Sequence, residues 1–259
     1  EDDLFLIKEI AKIQPPIAIY AVRTKIDISV ERNKKKKEID EETTLKKIYE
    51  ELRDNIQDAP VKGIYLTSAD YPTAYDLDKL LNDISSNLSK IKKERFIADI
   101  TITSERVIKE KRKIAEKLVS RYAALAAANG LNPIPGVDVS VDIGLILKMS
   151  NDITAIYGLN KEDQEYYKEL VDLPNQVKLK AALSKAAQYL AKYGAKEAIM
   201  ILLKRFAASV ATKSLSKWVP LVGQAIAAGI GFKMTSSLGE DMIEEGEKTA
   251  IEIFESFKQ

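Results

Sequence analysis

Two short apolar runs, Ile17-Ala-Ile-Tyr-Ala-Val22 and Gly63-Ile-Tyr-Leu-Thr67, constrain this fold more than any other feature of the sequence. Their β-branched and aromatic content reads as strand, and the first is apolar enough to be buried. Between them Leu45, Ile48, Tyr49, Leu52 and Ile56 follow the i, i+3, i+4 spacing of an amphipathic helix over Glu41 to Gln57. Strand, helix, strand at this separation is a right-handed crossover, which makes the strands parallel and brings their carboxyl ends to one side. In open α/β sheets ligands bind at those ends. The first run leads into Arg23-Thr24-Lys25-Ile26-Asp27 and the second into Ser68-Ala69-Asp70, so both segments would face the same ligand.

The side chains there suit a purine base. An Asp in the place of Asp27 offers two acceptor oxygens to the paired N1–H and N2–H2 donors of guanine, whereas adenine presents the opposite pattern. Lys25 can lay its aliphatic stem along the base. A backbone amide at the Ser68-Ala69 turn can reach the guanine O6. Alone, T-K-x-D is short and reads equally well as a solvated turn, just as Ser68-Ala69 alone reads as an ordinary loop.

Composition excludes much else. None of the 259 residues is Cys or His, which removes Ser-His-Asp and Cys-His catalysis and nearly all zinc sites. Carboxylates, lysines, hydroxyls and bound cofactors are left to carry any chemistry. The absence of cysteine also fits a reducing compartment. With 40 basic and 39 acidic residues the net charge is +1, so no global bias points to nucleic acid. The local run Glu31-Arg-Asn-Lys-Lys-Lys-Lys37 is flanked by acidic residues and reads as a solvated loop rather than a nucleic-acid patch. No run reaches the roughly 20 apolar residues that span a bilayer. The chain begins at Glu1 without a signal segment, which reads as a fragment or a processed product.

A short helix over Asp3 to Ile13 precedes the first strand, and another over Leu77 to Leu88 closes the α/β part. We place the domain boundary there, with residues 1–89 as an α/β domain and 90–259 as an all-α domain. Phe96 to Ile102 reads either as linker or as an extension of helix. Arg106 to Ala128 is a Lys-, Glu- and Ala-rich helix stopped by Asn129-Gly130, and Asn132-Pro-Ile-Pro-Gly136 is a rigid connector. In the apolar helix Val137 to Tyr157, Asp138 and Asp142 could share a face as a metal or acid/base pair, but capping explains Asp138 more simply. Leu159 to Pro174 is an acidic helix and turn. From Gln176 to Lys217 nine Lys or Arg face a single Glu, a segment charge of +8 on amphipathic helices. Such helices can lie on an anionic membrane surface or pack in a bundle with solvated lysines. Trp218 to Phe232, too short to span a bilayer, carries Gly223, Ala227 and Gly231 at small-xxx-small spacing, which close helix packing explains more simply than membrane insertion. Glu240 to Gln259, with seven acidic residues against two Lys, would pack on the basic helices.

The strand with T-K-x-D, the connector Asn132-Pro-Ile-Pro-Gly-Val137 before an Asp-bearing apolar helix, and the long helical half together resemble the immunity-related GTPases, which are interferon-inducible and dynamin-like. The resemblance covers essentially the whole chain. It implies a partial Ras-like P-loop GTPase domain followed by a helical-bundle domain. It also implies that Thr24, Lys25 and Asp27, with Ser68 and Ala69, bind the guanine of GTP or GDP. Further implications are self-association, a cytoplasmic protein held peripherally on intracellular membranes, and a part in cell-autonomous defence. The alternative is a non-catalytic helical module that binds membranes or partner helices. Neither G-x-x-x-x-G-K-[ST] nor D-x-x-G occurs in the sequence. Both would precede the base-reading strand, so hydrolysis and Mg²⁺ binding are expected only where that part is present.

Overall fold

β1 (Ala21–Arg23) and β2 (Ile64–Leu66) pair in parallel, with Ala21 opposite Ile64 and Arg23 opposite Leu66. The structure, a computed structural model, describes residues 2–13, 17–37, 39–56, 59–130, 138–170, 175–211 and 223–258. At 2–3, 37, 129–130, 138–142, 170, 207–211 and 223–230 it describes the backbone alone. Backbone bonds carry the pairing past the strand ends, from Lys62 N donating to Ile19 O (2.7 Å) to Ile26 N donating to Thr67 O (3.2 Å). The chain divides into two compact units, Glu1–Phe96 with Phe257–Gln259, and Ile97–Ser256.

The first unit holds α1 (Asp2–Ala11), α2 (Ile26–Lys37), α3 (Glu41–Ile56), α4 (Leu77–Ser86) and the start of α5 (Lys90–Asp99). The crossover therefore contains two helices, not one. The basic run expected as a loop lies in α2, where Ile26 and Val30, one turn apart, are both buried and keep the helix docked. Lys34, Lys35 and Lys36 then stand on its solvated side, Lys35 pairing with Glu31 at 2.5 Å. Asp40 starts α3 by accepting from the N–H and the hydroxyl of Thr43, both at 2.8 Å. Those bonds hold its carboxyl below the usual range.

Both α3 and α4 pack on β2. Tyr65 and Leu66 are accordingly buried, while Val22 keeps 41% of its surface and Ile17 51%. The expectation of a buried strand over Ile17 to Val22 is thus corrected. Strand geometry begins only at Ala21, because the covering helices lie on its neighbour. Beneath α4, Tyr65 donates its hydroxyl to the Asp83 carboxylate, and burial together with that carboxylate pushes its pKa up to about 12.

The second unit is a helical bundle of α6 (Glu105–Gly130), α7 (Asp138–Ile156), α8 (Lys161–Leu170), α9 (Gln176–Tyr193), α10 (Lys196–Ala211) and most of α11 (Gly223–Phe257). The segment 96–102 is split between the end of α5 and a short connector. α6 and α11 run antiparallel, with Arg112 ion-paired to Glu247, Val119 facing Gly239 and Ala126 facing Gly231. Lys185 of α9 reaches Glu252 of α11 at 2.5 Å and Lys192 reaches Glu245, so the acidic end does pack on the basic helix. The close-packing reading of Gly231 fits, since a Cβ there would stand 3.2 Å from Ala126 O. The connector at 132–137 and residues 218–222 lie outside the described residues, as do the side chains of Asp138, Asp142, Gly223 and Ala227.

A Cβ on Gly239 would come within 2.4 Å of Val119 Cγ1. Gly239→Ala should therefore destabilise the helical unit by about 2 kcal/mol through overpacking. The check is a lower denaturant midpoint at unchanged slope. α7 stops where Gly158 takes a φ of +65°, which a side chain would resist and which turns the chain under the Tyr167 hydroxyl. At that junction the Lys111 ammonium, 2% exposed, donates to Ala98 O (2.9 Å) and Ile156 O (2.6 Å). These are last-turn carbonyls of α5 and α7, which no helical N–H reaches. Burial pulls this lysine's pKa down to about 8 against the opposing carboxylates of Asp163 and Asp99.

Candidate functional site

The parallel register sets the ends of β1 and β2 side by side. After Arg23 the chain turns through Thr24 and Lys25, both exposed, and Lys25 adopts a φ of 56°. A non-glycine residue there costs on the order of 1 kcal/mol. The turn drops Ile26 into the core, fully buried, and starts α2 immediately. Asp27 thus lies in the first turn of a helix rather than at the end of a strand, a position where the helix dipole favours a carboxylate.

Asp27 is half-buried, and its Oδ1 is buried with no hydrogen-bond partner among the described residues. Leaving such an acceptor unpaired costs about 1–3 kcal/mol. Tyr75 stands near enough for its phenol to be pushed up, first by burial and then by the charges of Glu41 and Asp27.

The second segment is tied to the first by two backbone bonds. Thr67 N donates to Arg23 O (2.8 Å) and Ile26 N to Thr67 O (3.2 Å). Ser68 follows, 2% exposed, and its Oγ accepts from Tyr71 N (3.3 Å), so this hydroxyl is used inside its own turn. Ala69 is exposed. The N–H groups of Ser68 and Ala69 have no acceptor among the described residues, which leaves two donors at the turn. The structure therefore brings Thr24, Lys25 and Asp27 together with Ser68 and Ala69 at one edge of the sheet, with Ser68 contributing main chain only.

Two positioning residues escaped the sequence reading. Thr67 is the backbone bridge between the segments. Asp76 clamps the end of β2, its Oδ2 accepting from Leu66 N (3.0 Å) while its own N donates to Leu66 O (2.9 Å). An Asp just ahead of the apolar-periodic Leu77, Leu80, Leu81, Ile84 was the available signal, though it reads as a helix cap.

Among the described residues no group of three or more carboxylates is placed to hold a metal ion, and no helix is long and apolar enough to cross a membrane. The family model described as interferon-inducible GTPase (IIGP) matches residues 1–218. No curated protein matches the chain significantly.

Proposed function

The chain belongs to the interferon-inducible GTPase family, and from that premise we propose that the edge formed by Thr24, Lys25, Asp27, Ser68 and Ala69 reads the guanine base of GTP or GDP. The observation that carries this reading is the buried, unpartnered Oδ1 of Asp27. In the proposed complex the Asp27 carboxylate accepts from the base N1–H and the exocyclic N2–H2. The Lys25 stem lies along the ring, and a main-chain N–H of Ser68 or Ala69 donates to O6. Thr24 lends its exposed hydroxyl to the rim. The nucleotide supplies the phosphates on which any hydrolysis acts, and the residues of this site bind and select the base. A Mg²⁺ ion belongs with the phosphate-binding loop, and this sequence contains no such motif.

Titration of the 259-residue chain with GMP, IMP and AMP, followed by backbone amide NMR, tests the proposal. IMP lacks the exocyclic amine and should bind about tenfold more weakly than GMP, one charge-assisted hydrogen bond being lost. AMP should bind more weakly still. Equal shifts at Asp27 and Ala69 with AMP and GMP would refute base reading.

The same proposal includes peripheral attachment of the helical unit to an anionic membrane, a cytoplasmic setting, nucleotide-dependent self-association and a role in cell-autonomous defence. Membrane attachment has its own support. On α10, Glu197, Ile201, Lys204 and Arg205 share one exposed face, with Ile201 51% exposed. At the start of α9, Val177 is 76% exposed between the amide Gln176 and Lys178. Lys185 and Lys192 already pair with α11, so they are poor candidates for head groups. Replacing Lys178, Lys180, Lys204 and Arg205 by Glu should abolish flotation with phosphatidylserine vesicles, each charge near the surface contributing about 1 kcal/mol. Unchanged flotation would remove the membrane from the reading and leave a partner-binding module.

A further inference from the structure

Between α2 and α3 lies a cleft of about 260 Å³ that base reading does not use. Six polar side chains line it: Arg23 at the end of β1, Ser29, Arg32 and Asn33 on α2, and Glu51 and Asn55 on α3. Ile48 and Leu52 are its apolar members. None of the six side chains has a hydrogen-bond or ion-pair partner among the described residues. Their neighbours on the same helices behave differently, Glu31 pairing with Lys35 (2.5 Å) and Arg53 with Asp54 (3.2 Å). Arg32 and Glu51 carry opposite charges and face one space without closing on each other. The space is held open, and its hydrogen-bonding groups are left to solvent or to a ligand.

The cleft is separate from the base-reading edge. At 100° per residue, Ser29, Arg32 and Asn33 lie about 140° to 240° around α2 from Asp27. The core residues Ile26 and Val30 occupy the sector next to them. A ligand in the cleft therefore touches α2 on the side away from Asp27.

We propose that this cleft binds a carboxylate group. Two guanidiniums offer planar forks that match a carboxylate bidentately. Ser29, Asn33 and Asn55 add neutral hydrogen bonds. The charge decides between oxyanions. Arg23 and Arg32 against Glu51 leave a single net positive charge, which balances a monoanionic carboxylate and leaves a phosphate dianion in excess. Glu51 in turn accepts from an N–H or hydroxyl beside the carboxylate, and Ile48 and Leu52 receive the apolar stem. The carboxylate can belong to a free small molecule or to an acidic side chain of a peptide.

The test follows the Arg23 and Arg32 Nε–H resonances of the whole chain by NMR. The probes are N-acetylglycine, a blocked Gly-Gly-Glu-Gly-Gly peptide, its Gln counterpart, and inorganic phosphate. Saturable shifts of both resonances with at least one of the two carboxylate probes, and none with the Gln peptide, support the proposal. Tighter binding of the Glu peptide assigns a peptide-borne source, and tighter binding of N-acetylglycine a free one. Arg32→Gln should weaken the carboxylate at least about tenfold while leaving the thermal midpoint of this exposed position in place. Glu51→Gln should improve phosphate binding relative to carboxylate. No saturable shift with either carboxylate, equal shifts with the Gln peptide, or tighter binding of phosphate than of both carboxylates in the unmodified chain would each overturn it.

Discussion

Asp27→Asn should exchange guanine for xanthine. In the proposed complex both carboxylate oxygens accept, one from N1–H and one from the exocyclic amine. A carboxamide keeps one acceptor and turns the other oxygen into an N–H2 donor, which then meets the guanine amine head-on. Xanthine carries a carbonyl where guanine carries that amine. It repels the carboxylate and accepts from the carboxamide. Sites that pair a substrate's hydrogen-bonding groups discriminate strongly against analogues that leave them unpaired, so each ratio should move by about a hundredfold. Competitive titration of XMP against GMP on both proteins reads the exchange. The buried setting of Oδ1 makes the effect large, because a hydrogen bond lost in a low-dielectric setting costs more than one lost in water. Unaltered selectivity would mean that another group reads the base.

The second large effect is a pH dependence assigned to Lys111. Its folded pKa, near 8, lies below the ordinary lysine value of 10.5. Between those values the unfolded chain still binds the proton that the folded chain has released, so raising the pH favours the folded state. The penalty of burying the charge is fully present below pH 8 and is relieved as the pH climbs toward 10.5. The relief amounts to about 3 kcal/mol. Tyr157, Tyr167 and Tyr189, all raised by burial, work the other way from about pH 10 upward, when unfolded tyrosines ionise first. Lys111→Met retains those tyrosines. The difference in unfolding free energy between the parent and the variant, measured by urea titration from pH 7 to pH 10, should therefore rise with pH. A flat difference would show that the lysine sits unperturbed. The variant also leaves Ala98 O and Ile156 O without their donor, so its stability at pH 7 gives no simple measure of the charge; the slope does.

The parallel strand pair, the helical second half and the ion pairs between α9 and α11 were legible in the sequence because each rests on a pattern that repeats locally. Leucines every three or four residues, and opposite charges on two amphipathic helices, leave little choice. The misreadings share another cause. Glu31 to Lys37 reads as a loop by composition, yet Ile26 and Val30 hold that stretch in a helix from one side. Gly239 stands between the apolar stretch Trp218 to Phe232 and the acidic stretch Glu240 to Gln259, which composition alone separates. α11 runs through it, and the missing side chain admits Val119. Lys111 is one lysine in a helix full of them. Nothing in its neighbours along the chain tells that two other helices end on its ammonium. At the candidate site the T-K-x-D pattern is legible in the sequence, but its geometry is not. The left-handed Lys25 moves Asp27 onto a helix, a consequence of Ile26 being claimed by the core.

Phe257 belongs to the compact unit otherwise formed by Glu1–Phe96, and its carbonyl accepts from the Thr73 hydroxyl at 3.3 Å, across 184 positions of sequence. During synthesis the strands and both segments of the candidate site leave the ribosome before Phe257, a residue of the same unit. Translation at about 5–20 residues per second imposes a wait of roughly ten to forty seconds between Thr73 and Phe257. The helical bundle has time to form in that interval. The unit that carries the candidate site is then finished only after the helical unit has been made.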